Sequence, residues 1–76
     1  MKASIIQTLI DDHYCQDYKT CAVRTDSGRE YTFSIEGNNG LVVVKEDNTL
    51  LGEPIGFGGC NIFIDCAKIE CILFYK

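Results

Sequence analysis

Residues 29–36 read Arg29-Glu30-Tyr31-Thr32-Phe33-Ser34-Ile35-Glu36. Tyr31, Phe33 and Ile35 alternate with Glu30, Thr32, Ser34 and Glu36 without a break. Successive side chains of a strand point to opposite faces, so this period of two predicts a strand with one apolar and one polar face. Such a strand belongs to an antiparallel sheet packed on one side and wet on the other.

Reading backward, Asp26-Ser27-Gly28 is a turn, with Gly28 suited to a left-handed backbone. Thr20 to Thr25 before it is short and β-prone. Further back, Ile5, Ile6, Leu9, Ile10, His13, Tyr14 and Tyr18 recur three, four and five residues apart, and polar residues fill the gaps. The apolar doublets suit a helix and not a strand, and they predict one over about residues 4–18. Asp17 is the one main exception to the separation of faces. Ser4 with Gln7 matches a capping box, and Lys19 suits the negative end of the helix dipole.

Reading forward, Gly37-Asn38-Asn39-Gly40 is a hairpin signal. Leu41-Val42-Val43-Val44, apolar on both faces, predicts a central strand, and Glu46 to Thr49 a turn. Leu50 to Gly59 holds Gly52, Pro54, Gly56, Gly58 and Gly59 and predicts a loop or bulged edge. Cys60 to Asp65 predicts a strand with Ile62 and Ile64 on one face, Cys66 to Lys68 a short helical turn, and Ile69 to Tyr75 a last strand. The sum is an α+β fold. One N-terminal helix packs on a small antiparallel sheet or barrel of about five strands, in a single domain over residues 1–76.

This order of elements resembles that of small SH3-like and Sm-like β-barrels. The resemblance lies in Val23 to Phe33 around Asp26-Ser27-Gly28, and in Ile62-Phe63-Ile64-Asp65 leading to Ile69-Glu70-Cys71-Ile72. Sm-like proteins bind RNA through loop motifs that Asp65-Cys66-Ala67-Lys68 does not reproduce, so RNA binding is not carried over.

Seventy-six residues leave little room for a large catalytic cleft. The apolar share of 46% and charged share of 24% exclude a disordered chain. The net charge is −4, and Lys2, Lys19, Arg24, Arg29, Lys45, Lys68 and Lys76 are never adjacent. Duplex nucleic acid, which is gripped by clustered bases, is therefore not an expected partner. No apolar run approaches the roughly 18 residues of a membrane span, and Gln7, Thr8, Asp11 and Asp12 break the start as a signal peptide. A cytoplasmic location is expected. There the odd set Cys15, Cys21, Cys60, Cys66 and Cys71 reads as free thiols.

His13 and the five cysteines are the candidate metal ligands, but their spacings match no zinc knuckle. His13 and Cys15 point to different sides of a helix, so they form no nucleophile–base pair. Asp11-Asp12 and Glu46-Asp47 read as solvated carboxylates, and Gly56-Phe57-Gly58-Gly59 lacks the Lys-Ser/Thr of a phosphate loop. No catalytic residue, metal or cofactor is assigned. The expected activity is protein binding by a small regulator or inhibitor that blocks a host protein, of the phage or mobile-element type, as a homodimer or on a larger target. The alternatives are a cysteine-based metal or redox protein and an RNA-binding Sm-like barrel. The expected contact residues are Phe57 with Glu53, Gly56 and Gly58 in the glycine loop, and Phe74 and Tyr75 at the chain end.

Overall fold

The structure is a computed structural model that describes residues 1–36 and 41–76. Helix α1 (Ala3–Cys15) is followed by β1 (Thr20–Thr25), β2 (Glu30–Ser34), β3 (Leu41–Val44), β4 (Thr49–Gly52), β5 (Ile62–Asp65), a one-turn 3₁₀ helix (Cys66–Lys68) and β6 (Ile69–Tyr75). The α+β class is as read. Among the described residues the strands form two antiparallel three-stranded sheets, ordered β2-β1-β6 and β3-β4-β5, and close no barrel. The Gly37–Gly40 hairpin reading lies outside the described residues; the two strands it joins belong to different sheets.

The helix stops three residues earlier than its apolar pattern predicts. Asp17 adopts φ 64°, a left-handed turn that ends the helix. The Asp17 amide donates to the Tyr14 carbonyl and the Tyr18 amide to the His13 carbonyl, both at 3.1 Å. These two bonds are those of a Schellman motif, which satisfies the last carbonyls. The Tyr18 ring then meets His13 edge-on at 5.0 Å.

The other end of the helix also departs from the reading. Ser4 and Gln7 form no capping box, because the helix begins at Ala3 with Lys2 as its uncapped flank. Gln7 instead donates to Asp11 at 2.8 Å. The first-turn donor is satisfied from far away: the Ala3 amide donates to Asn48 Oδ1 at 2.8 Å. Asn48, itself at φ 51°, also accepts the Cys66 amide on its backbone carbonyl at 2.9 Å. One residue of the β3–β4 turn thereby ties the helix start to the 3₁₀ turn.

Two strand readings also change. Leu50, read as the start of a loop, is 1% exposed in β4, which is the central strand of its sheet. β3, read as central, is an edge strand, and Val42 is 53% exposed. A single core of Ile6, Cys21, Val23, Phe33, Leu50 and Ile64, among others, takes its side chains from the helix and both sheets. Of the helical apolar set, Ile6 is buried in this core while Ile5 and Tyr14 are each 51% exposed.

Candidate functional site

The glycine loop after β4 is anchored at its start. Pro54 is buried, and the Ile55 amide donates to the Thr32 carbonyl of β2 at 2.7 Å. This bond uses the side of β2 that faces away from β1, so the loop covers part of that edge. Gly58 and Gly59 then take successive positive φ values of 64° and 80°, which side chains rarely adopt. The Cys60 amide closes the turn on the Phe57 carbonyl at 3.3 Å. Between these fixed points the Phe57 ring leans on Tyr31, 5.7 Å between centroids and tilted 53°. Phe57 remains half exposed, and Glu53, Gly56 and Gly58 are exposed around it. The loop therefore presents an aromatic side chain on a defined support.

The two chain-end candidates separate. Tyr75 is half exposed. Phe74 turns inward and stacks on His13, 3.8 Å between centroids and nearly parallel. The His13 Nδ1 lies 2.7 Å from the Leu9 carbonyl, and Phe74 and Tyr18 flank the ring. His13 is thus engaged in packing the end of the helix onto β6.

One group escaped the sequence reading. The register sets Val42 opposite Leu51 and Leu51 opposite Phe63. The neighbouring positions Val43, Leu50 and Ile64 line up on the inner face, so Val42, Leu51 and Phe63 form a row across the outer face. Phe63 is the most exposed large apolar side chain described, at 72%. The alternation of Ile62 and Ile64 already implied that Phe63 points outward. The row itself was hidden because Leu51 sits in the stretch read as a loop.

All five cysteines are free; Cys15 and Cys60 are exposed, Cys21 and Cys66 buried, and Cys71 lies between. Burial pushes the Cys21 thiol up from 9.0 to about 12 and raises Cys66 in the same direction. Among the described residues, no group of three or more His, Cys, Asp or Glu side chains is placed to hold a metal ion. None of the described helices is long and apolar enough to cross a membrane. An open depression of about 580 Å³ lies at the end of α1, lined by Tyr14, Cys15, Asp17, Tyr18, Lys19 and Glu36. Its carboxylates and its amine give it no single charge sign.

No family model, no curated protein and no solved structure matches the chain.

Proposed function

We propose that this chain is a non-catalytic protein-interaction module of the cytoplasm, a small regulator or inhibitor that acts by occupying a protein target. The observation that carries the reading is Phe57, half exposed yet supported by Tyr31 and framed by glycine turns. Interface energy concentrates in aromatic anchors held in place before binding, because less ordering is then required. Glu53 beside the loop adds a charge for a basic contact. The five free thiols are in keeping with a reducing compartment. Self-association is part of the proposal. Among the described residues β6 has a strand on one side only, and Leu73 and Tyr75 are exposed along it.

Affinity capture from the native host with the wild-type chain and with Phe57→Ala tests the proposal. The wild type should retain a protein that the variant loses, at a cost of about 1–2 kcal/mol, with the melting temperature nearly unchanged. Light scattering of the same preparation at micromolar concentration should give more than one chain per particle. Equal capture by both chains would defeat the role of the loop, and a clean protomer mass would defeat self-association.

A further inference from the structure

We infer that the outer face of the β3-β4-β5 sheet is a second docking surface, and that its occupant is a basic amphipathic helix of another protein. The inference rests on the reading of the chain as an interaction module and names the chemistry of one partner.

The apolar side chains come first. Val42, Leu51 and Phe63 lie side by side on three adjacent strands, with Val42 and Phe63 more than half exposed. Two inter-strand steps of about 4.8 Å make a row about 10 Å long. Positions i and i+7 of a helix are separated by about 10.5 Å, with i+3 and i+4 between them. A helix laid across the strands would therefore set one apolar stripe on all three side chains.

Charge then selects the partner. Asp65 lies two residues beyond Phe63 on the same face of β5. Glu46 and Asp47 occupy the β3–β4 turn, Glu53 follows β4, and all four carboxylate residues are exposed. Lys45 and Lys68 are the only bases between residues 41 and 68. This acidic rim favours Lys and Arg flanking the partner's apolar stripe and repels phosphate chains.

A second copy fits poorly. Helix α1 exposes Asp11 and Asp12, so the chain's own helix would bring carboxylates onto carboxylates. Face-to-face pairing of two copies would likewise set the acidic rims, Glu46, Asp47, Glu53 and Asp65, against each other.

The test uses the full chain and a synthetic helical peptide of about 18 residues, built of leucine with lysine, against its leucine–glutamate counterpart. Fluorescence polarisation gives the affinities, and amide shift mapping gives the location. The lysine peptide should bind and shift Val42, Leu51 and Phe63. Phe63→Thr and Val42→Thr should each weaken it at least tenfold with the domain still folded and its melting temperature lowered by no more than a few degrees, and Phe57→Ala less than twofold. Absence of lysine-peptide binding, equal binding of the glutamate peptide, or indifference to both threonine variants would overturn the inference. Loss in Phe57→Ala alone would also overturn it, while leaving the loop reading intact. A multimer that dissociates on Phe63→Thr would assign the face to a second copy and overturn it as well.

Discussion

The outer faces of the two sheets are each carried by three antiparallel strands and differ in what they show to water. On the β2-β1-β6 sheet, Glu30, Arg24 and Cys71 line up across the strands, and Arg24 pairs with Glu30 at 3.0 Å. Beside them, Ala22 lies between Thr32 and Leu73 and is only 1% exposed. The smallest side chain of that row sits in the central strand, and its neighbours enclose it. On the β3-β4-β5 sheet the central position is Leu51, and its neighbour Phe63 stands clear of the surface. Both inner faces feed one core, so folding explains them equally. Each outer face shows one aromatic: Tyr75, half exposed at the end of β6, and Phe63, 72% exposed within the apolar row of the second sheet. The most exposed part of the apolar surplus thus stands on the second face, with smaller shares at Ile5 and Tyr14 of the helix, Ile55 and Phe57 of the glycine loop, and Leu73 and Tyr75 of β6.

The largest expected effect contrasts two phenylalanines in strands. Phe33 is 0% exposed on the inner face of β2, and Phe63 is 72% exposed on the outer face of β5. Phe33→Ala should cost about 3–5 kcal/mol, since it removes buried area and leaves a cavity. That is a large share of the roughly 5–15 kcal/mol available to a domain. Phe63→Thr should cost at most about 1 kcal/mol, the scale of a cross-strand contact with Leu51. Urea unfolding of both variants measures the difference. Comparable losses would mean that Phe63 serves the fold and that the contrast between the faces is false.

A second effect reads the inner face of the first sheet through pH. Cys21 is fully buried there, and its thiol is raised from 9.0 to about 12 by desolvation. The native state then holds this proton where the unfolded chain has lost it. The stability that the protonated thiol contributes is fully present below about pH 9 and is lost as pH rises from there towards about 12. Thermal melts from pH 7 to 11 should fall more steeply for the wild type than for Cys21→Ala. Some slope should remain in the variant, because Cys66 is shifted the same way. Parallel slopes would show that Cys21 is not protected as its burial requires.

Sequence legibility followed the range of the interactions. The alternation of Tyr31, Phe33 and Ile35 is local and strong; Phe33 and Ile35 are buried and Tyr31 packs against the core. The helix end was visible in Asp17, the one residue that broke the facial pattern, but the pattern alone carried the helix on to Tyr18. The helix start was not legible, because its cap comes from Asn48, 45 residues away. β4 was lost among glycines and a proline, although Leu50-Leu51 carries the buried and outward positions of a strand. In the candidate site, the exposed Phe57 could be read from its glycine neighbours. The Val42–Leu51–Phe63 row could not, since it exists only once three separate strands are in register.

The smallest stability effect offers a reciprocal exchange between the two faces. Arg24 and Glu30 are both substantially exposed, 49% and 42%, so solvent screens their pair and little stability depends on it. Burial does not hold the Arg24 guanidinium; its hydrogen bond to Glu30 is the main cause that raises its pKa. Arg24→Val keeps a strand-forming residue and should leave the melting temperature within about 2 °C of the wild type. It would, however, add an apolar side chain beside Cys71 and extend the Leu73 patch across the first sheet. The variant should therefore gain binding of a hydrophobic-surface dye such as ANS, while Phe63→Thr should lose it. If Arg24→Val destabilises the domain strongly, the polar row is part of what holds the first sheet together. If it gains no dye, charge on that face does not decide exposure, and the distinction between the two sheets must lie in their shape.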